Sequence, residues 1–489
     1  MSEFSELLNH MIRVRGIQAS KLAAYCGLER SSMYKILHGT RTLSGEGKLK
    51  KIADYLGLNQ TDADQLKKCW EKSQYDEEDY YRKESVIEFL ESFHRLTETS
   101  ETDKVTFSLP AMTWNMEGPE SEAAHETRPL RSSDALRQAI GFSLLKELSH
   151  PAPKVRILKQ PDHETLEDLL WTFGSTAKSL RVEQIFRIFT GDEMNPEHQN
   201  RNLRSLTEIL RLQLGLHDYQ PYYCYGHAEN ADAGRDFPEC MMITEDSLIL
   251  FTVGLTDGII SRDPSVIRYF GEKFEQYKRA AHPVLTRCSG MEEYMYNMEF
   301  AGGFDGYFSY GLTTMPHVDL FADRDQIQRQ LRPDISNRDQ IAGVLTAYLN
   351  RCHAMYRKFC PQIYTPLQAV EAFLREGRYD NYTPALFEPP VKAERKRMVR
   401  AMLEAPELQN IRYLKESWLA PEADLILYVS PARGFLRFTP GYGGELTLLQ
   451  LKEPQLLRTF CDFFELILED EVYTQEEARQ RIELLLESV

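Results

Sequence analysis

The chain has 489 residues, of which 42% are hydrophobic and 27% are charged, and its formal net charge at pH 7 is −16. This length exceeds one ordinary hydrophobic core, so several domains are expected, and the apolar fraction excludes an intrinsically disordered protein. The overall acidity excludes nucleic acid as a partner unless the basic residues are concentrated in one part of the chain.

The first 70 residues carry such a concentration, with 11 Lys and Arg against 7 Asp and Glu. Phe4, Leu8 and Met11 recur at helical spacing, which predicts an amphipathic helix over residues 2–14. A basic N-terminal segment on an otherwise acidic chain favours phosphate binding by that segment and little non-specific binding by the rest of the chain.

Two short helices follow, predicted at about 18–25 and 29–38 and joined by a sharp turn at Gly27. Ala23 is small enough to let the second helix cross the first closely. Met33 and Ile36 face the core, which leaves polar and basic side chains outside. Two helices that cross through a small residue and a glycine turn form a helix-turn-helix. A further helix is predicted to end at Gly57.

This segment resembles the phage-repressor-like (XRE-type) helix-turn-helix regulators over residues 4–60. The resemblance rests on Lys21-Leu-Ala-Ala-Tyr-Cys-Gly-Leu28, on Ser31-Ser-Met-Tyr-Lys-Ile-Leu-His-Gly-Thr-Arg41, and on Leu49-Lys-Lys-Ile-Ala-Asp-Tyr-Leu-Gly-Leu58. It implies a five-helix domain that binds a two-fold DNA operator as a homodimer. A plain helical bundle, or a helix-turn-helix used for protein contacts, is the alternative.

Placement and resemblance together predict the DNA-binding residues. The outward face of the second helix enters the major groove and reads bases, whereas the start of the first helix and the segment after the second meet phosphates. Glu29 would repel phosphate if it pointed toward DNA, so we expect it to cap the second helix. The predicted base-reading residues are Arg30, Ser31, Ser32, Tyr34 and Lys35, and the predicted phosphate-contacting residues are Gln18, Ser20, Lys21, His38, Thr40 and Arg41.

Residues 71–131 are predicted to be a linker with a connecting helix. Residues 71–84 are charged and suit an exposed connector or an extended helix. The apolar stripe of the helix predicted at 80–96 either docks on the next domain or packs against a second subunit. Residues 98–131 are expected to be irregular, with one short strand at 105–109. The acidic run at 469–471 is expected to be solvated surface.

From residue 132 onward helices and strands alternate, which predicts α/β architecture. Three sequence echoes indicate a duplication into lobes 132–285 and 286–489. Residues 263–274 match 453–464, each beginning with an acidic cap and a proline. The shorter echoes pair 247–251 with 424–428 and 155–159 with 411–415. The fold class is therefore an all-α helix-turn-helix domain followed by a two-lobed α/β region.

The lobes are similar to the phospholipase-D-like duplicated fold, which also occurs as a sensor domain in regulators. That family's chemistry needs H-x-K-x4-D in each lobe, and none of the 12 histidines is followed two residues later by lysine. The resemblance therefore implies a catalytically dead fold that retains binding. The phosphate-loop, G-x-S-x-G and H-E-x-x-H motifs are absent as well.

The remaining patterns complete the prediction. The eight cysteines show no C-x-x-C pair, which indicates a reducing compartment and no structural metal. Neither a secretion signal nor a membrane span is visible, so a cytoplasmic protein is expected.

The leading hypothesis is a transcriptional regulator that binds double-stranded DNA, senses a small molecule or peptide, and has no catalytic residues, cofactor or metal. The alternatives are an enzyme of phosphodiesterase-like fold carrying a DNA-binding module, and a pure oligomerisation scaffold.

Overall fold

The computed structural model describes residues 2–489 except 103–126, 159–163, 175–178, 191–199, 228–239, 288–307, 378–385, 407–409, 416–423, 440–446 and 452. It divides into two compact units. The first contains residues 1–85 and 465–472, and the second contains 86–464 and 473–489. The sequence-based domain boundaries at 70, 131 and 285 stay predictions.

The first unit is helical. The first three helices lie close to their predicted ranges and the fourth ends before Gly57 as predicted, because each carries an apolar face at helical spacing and ends near a glycine. Ser2 caps the first helix and Asn59 caps the fifth. The five helices are α1 (Glu3–Val14), α2 (Ala19–Tyr25), α3 (Arg30–Leu37), α4 (Glu46–Leu56) and α5 (Gln60–Lys72).

The turn between α2 and α3 has the predicted form. Gly27 has φ of +68°, which a residue with a side chain rarely adopts. The amide of Leu28 donates to the carbonyl of Ala23 at 2.8 Å and closes the turn. Ala23 is fully buried where the two helices meet, beside Leu22 and Met33.

The segment after α5 differs from its prediction. Helix α6 (Glu77–Thr102) begins within the predicted connector, and its residues Tyr80 and Lys83 are buried. The expectation of an exposed connector at 71–84 is therefore wrong for these two residues. The predicted strand at 105–109 lies outside the described residues.

The apolar stripe of α6 is covered within the second unit. Val86, Phe89 and Leu90 are buried, and the ring of Phe89 lies 5.7 Å from that of Phe460. Of the two alternatives for this stripe, the structure therefore favours docking on the chain itself over pairing with a second subunit.

The second unit contains two mixed β-sheets flanked by helices. The strands of sheet 1 have the order β1-β7-β6-β5-β2-β3-β4-β8, and those of sheet 2 have the order β12-β11-β10-β13-β14-β15-β9. The strands of sheet 1 are β1 (Thr127–Leu130), β2 (Lys154–Leu158), β3 (Arg181–Thr190), β4 (Asp218–His227), β5 (Cys240–Ile243), β6 (Leu248–Phe251), β7 (Gly258–Ser261) and β8 (His282–Pro283). Those of sheet 2 are β9 (Leu285–Arg287), β10 (Tyr310–Thr313), β11 (Gln362–Pro366), β12 (Ile411–Leu414), β13 (Asp424–Ser430), β14 (Arg433–Thr439) and β15 (Thr447–Leu451).

Sheet 2 repeats the strand order and directions of sheet 1 apart from the short strand β8. Strands β2, β3 and β4 are parallel, as are β10, β11 and β12. The strands β5, β6, β7 and β1 add on antiparallel to β2, and β13, β14, β15 and β9 add on in the same way to β10. Within the described residues, two sheets that share one arrangement of seven strands therefore follow each other along the chain.

The helices of the second unit fill the connections between these strands, and His317–Phe321 forms a 3-10 turn after β10. Among the described residues, none of the helices in the structure is both long and apolar enough for a membrane crossing. The helices are α7 (Ser133–Glu147), α8 (Glu164–Gly174), α9 (Arg201–Gly215), α10 (Pro264–Ala280), α11 (Arg324–Gln330), α12 (Arg338–Phe359), α13 (Leu367–Glu376), α14 (Lys392–Glu404), α15 (Pro454–Glu465) and α16 (Gln475–Ser488).

One of the three sequence echoes falls on equivalent elements. Helices α10 and α15 both follow the last antiparallel strand of their sheet. Asp263 accepts a hydrogen bond from the Ser265 amide at 2.8 Å, and Glu453 accepts one from the Leu456 amide at 2.8 Å, so both carboxylates cap as predicted. The two shorter echoes are wrong, because they pair β6 with β13 and β2 with β12, whose positions in the repeat differ.

Candidate nucleic-acid interface

Helix α3 is held against the core of the first unit by α1. The hydroxyl of Ser5 donates to the carbonyl of Ile36 at 2.7 Å, and the side-chain amide of Asn9 donates to the carbonyl of Leu37 at 2.6 Å. These bonds satisfy carbonyls at the end of α3 that have no partner within the helix. The inner face of α3 buries Met33, Ile36 and Leu37, so its other side faces solvent.

The structure places the predicted DNA-binding residues along one stretch of exposed surface on α2, α3 and the segment after α3. Ser20 and Ser32 are half-buried, and the other nine side chains are exposed. Tyr34 keeps 63% of its surface exposed. The exposed nine are Gln18, Lys21, Arg30, Ser31, Tyr34, Lys35, His38, Thr40 and Arg41.

Several of these side chains are oriented by contacts among themselves. Arg41 donates to the hydroxyl of Ser32 at 3.0 Å, which ties the segment after α3 back to its first turn. The rings of Tyr34 and His38, one helical turn apart, have centroids 4.1 Å from each other. The surface is therefore partly ordered before any partner binds.

Glu29 occupies the position before α3, but its side chain caps no backbone amide. The expectation that Glu29 caps the helix through its carboxylate is therefore wrong. Its carboxylate instead accepts a hydrogen bond from the Ser31 hydroxyl at 3.3 Å. This contact leaves a negative charge near the start of α3, next to Arg30.

Two cations of the surface are available to an anionic partner. Within the described residues, Arg30 and Lys35 form neither a side-chain hydrogen bond nor an ion pair, and both are exposed. A guanidinium and an ammonium group on adjacent turns of one helix match a duplex, whose phosphates are regularly spaced and whose guanine edge accepts two hydrogen bonds from arginine.

A carboxylate that sequence reasoning missed lies beside this region. Asp470 accepts a hydrogen bond from the backbone amide of Glu46, the first residue of α4, at 3.3 Å. The two residues are 424 positions apart, so no local pattern could have indicated the contact. The expectation that 469–471 is solvated surface holds for Glu469 and Asp470, which are exposed, but is wrong for Glu471, which is half-buried and pairs with Lys83 at 2.6 Å.

In the second unit, Glu183 of β3 is a fully buried carboxylate at the start of the parallel strands. Lys154, Arg181 and Lys278 approach its oxygens at 3.0, 3.0 and 2.9 Å. Burial raises the pKa of Glu183, but the hydrogen bonds from Lys278 and Lys154 outweigh burial and leave that pKa lowered. The group therefore stays ionised in a structural ion network.

A second buried polar cluster centres on His317. Its Nε2 lies 3.3 Å from the hydroxyl of Tyr356 and 3.2 Å from that of Tyr428, and the two hydroxyls are 2.7 Å apart. Burial, and then the charge of Arg437, lower the pKa of His317 to about 4. The imidazole is therefore neutral at pH 7 and is enclosed by the lobe core.

A surface cavity of about 650 Å³ is lined by α12 alone, and thus lies on one helix and not at the junction of the two sheets. Among the described residues, three or more His, Cys, Asp or Glu side chains nowhere gather in a group able to hold a metal ion. The lining residues of the cavity are Asn350, His353, Ala354, Arg357 and Lys358.

No protein-family model matches the sequence, and no curated protein is detectably similar to it. Solved structures that align with it include polyphosphate kinase from Porphyromonas gingivalis, at 11% identity and a TM-score of 0.22, over 70% of this chain and 50% of that chain. The archaeal chromatin protein TrmBL2, described as showing a novel mode of DNA binding, aligns at 13% identity and a TM-score of 0.22, over 54% of this chain and 88% of that chain. The chain spans half the length of the kinase. At these TM-scores neither alignment determines the function of this chain.

Proposed function

We propose that the protein is a sequence-specific, double-stranded-DNA-binding transcriptional regulator of the XRE type, with α2 and α3 as its helix-turn-helix. The observation that carries this proposal is the exposed face of α3, where Arg30 and Lys35 have no side-chain partner among the residues that the structure describes, while the opposite face is fully buried. An α-helix fits the major groove, and these two cations supply base and phosphate contacts there.

The polar residues around these cations support groove binding over a protein interface. Protein interfaces are built on apolar anchors, but this surface offers hydroxyls, an imidazole and cations. Tyr34 is its one large aromatic side chain, and it is paired with His38. Short hydroxyl side chains such as Ser31 and Ser32 suit both base edges and phosphates.

We propose that the two-lobed region is the effector-sensing or oligomerisation part, and that the protein acts in the cytoplasm as a homodimer on a two-fold operator. The absence of H-x-K from all 12 histidines supports binding over phosphodiesterase chemistry in these lobes. The burial of His317 supports a structural role for that cluster, because a reacting group must reach its substrate.

Replacing Arg30 with alanine is expected to lower affinity for a preferred duplex, selected from a random pool with the full-length protein, by about 1–3 kcal/mol. Affinity for unrelated duplexes is expected to fall much less, because a base contact discriminates between sequences. Fluorescence anisotropy at fixed salt measures both affinities.

The matched control is Arg13→Ala, which removes the same charge from an exposed position on α1, outside the proposed face. It is expected to leave the preference between duplexes unchanged. Equal losses in the two variants, on the preferred and the unrelated duplex alike, would contradict the assignment of Arg30 as a base-reading residue.

A further inference from the structure

Residues 465–472, which we call the acidic strap, belong to the first unit although they follow the last strand of the second. The strap connects α15 to α16, and it carries three consecutive acidic residues, Glu469, Asp470 and Glu471. Its side chains and backbone bind α4, α6 and the turn before α6. This arrangement gives the first unit an element that is covalently continuous with the C-terminal helices of the chain.

A buried cation on α6 binds the acidic strap. The ammonium group of Lys83, only 4% exposed, donates to both carboxylate oxygens of Glu471 at 2.8 and 2.6 Å. It also donates to the hydroxyl of Tyr75 at 2.7 Å, and that hydroxyl donates to the carbonyl of Leu466 at 2.9 Å. Removing the Glu471 carboxylate would leave the charge of Lys83 buried without its counterion.

In the same arrangement, Asp470 lies at the start of α4. Its carboxylate accepts from the Glu46 amide, and the same oxygen lies 3.6 Å from where a Cβ on Gly45 would stand. The amino end of a helix attracts anions, so Asp470 occupies a place that suits a phosphate. Glu46, the first residue of α4, follows Arg41 by only five residues. The segment between them leads from the proposed phosphate contacts into α4.

We propose that the acidic strap is an autoinhibitory element that opposes DNA binding when closed. In the closed state the carboxylate of Asp470 takes the α4 amide, and its charge and that of Glu469 repel phosphates nearby. Opening breaks the Lys83–Glu471 pair and frees the amino end of α4 for the DNA backbone. The inference rests on the proposed function and assigns it a regulatory device.

The test compares duplex affinity of full-length variants. Asp470→Asn keeps an oxygen that can accept from the Glu46 amide and removes the negative charge. Glu471→Gln weakens the contact with Lys83. The control Glu476→Gln removes one charge from the exposed first turn of α16, where Glu476 contacts Gln480. Asp470→Asn and Glu471→Gln are expected to tighten binding about 2- to 5-fold, and Glu476→Gln less than 2-fold.

Hydrogen exchange in the same samples reports the state of the strap. Peptides covering the start of α4 are expected to exchange faster in Glu471→Gln than in wild type, with α1 and α3 unchanged. Unchanged or weakened DNA affinity in Asp470→Asn, with wild type binding the duplex, would overturn the strap while leaving the proposed function intact. Binding that appears only in the strap variants supports both proposals, and binding by none of the proteins overturns both.

Discussion

Glu183→Gln is expected to lower the free energy of unfolding of the second unit by about 1.5–3 kcal/mol. The carboxylate is fully buried and lies within 3.0 Å of cationic groups of Lys154, Arg181 and Lys278. Replacing it with a neutral amide of the same shape removes the anion that the three cations share, and solvent screens part of their mutual repulsion because their side chains keep 20–43% of their surface exposed. Denaturant unfolding followed by circular dichroism measures the loss.

Glu272→Gln is the control, because it removes the same charge from an exposed position on α10. It is expected to change stability by less than about 0.5 kcal/mol. The pKa of Glu183 is lowered in the folded state, so its contribution is present above the unfolded pKa and is lost as pH falls through the folded pKa. A cost of Glu183→Gln no larger than that of the control would contradict a stabilising role for this network.

The second large effect concerns acid sensitivity. His317 has its pKa lowered to about 4 by burial and by Arg437, whereas an unfolded histidine titrates near 6.5. Between these two pH values His317 therefore binds a proton in the unfolded chain but not in the folded chain. The free energy of unfolding consequently falls as pH drops from about 6.5 to about 4. This group contributes a loss of about 3 kcal/mol across that window.

His317→Gln is expected to remove most of that slope, because glutamine does not titrate but still offers hydrogen bonds to Tyr356 and Tyr428. The readout is the change in unfolding free energy between pH 7 and pH 5, so a constant loss of stability in the variant does not affect it. A slope in the variant equal to that of wild type would show that other groups cause the acid sensitivity.

The helices of the first unit were predicted closely because their signals are local. The apolar spacing in α1 and α3 and the glycine after α2 each act within a few residues, and the structure places them where the pattern indicates. The exposure of the predicted base-reading residues Arg30, Ser31, Tyr34 and Lys35 follows from the same pattern, since an amphipathic helix has one inner and one outer face.

The strands were predicted less evenly. The predicted alternation of helices and strands from residue 132 onward is present, but no local pattern indicates β10 or β11, because Tyr310-Gly-Leu-Thr313 and Gln362-Ile-Tyr-Thr-Pro366 carry glycine, proline and polar residues. Both strands have neighbours on either side in sheet 2, and the burial of most of their residues removes any alternating pattern. Without them the two lobes could not be aligned strand by strand, so the shorter echoes were paired wrongly.

The long-range contacts of the first unit left no signal in the sequence. Lys83 lies in a charged stretch that is typical of exposed helices, yet it is buried by Glu471, which is 388 residues away. Its burial depends on a partner that no window around Lys83 contains. The same holds for Asp470 at the start of α4.

The salt dependence of duplex binding tests the central claim most directly. For the full-length protein, the logarithm of the association constant is expected to fall linearly with the logarithm of salt concentration, because each cation that contacts a phosphate releases counterions. Replacing both Lys21 and Arg41, two cations that are predicted to contact phosphates, with alanine is expected to reduce that slope by about two. An affinity independent of salt, or a slope unchanged in the double variant, would contradict DNA binding through the surface formed by α2, α3 and the segment that follows α3.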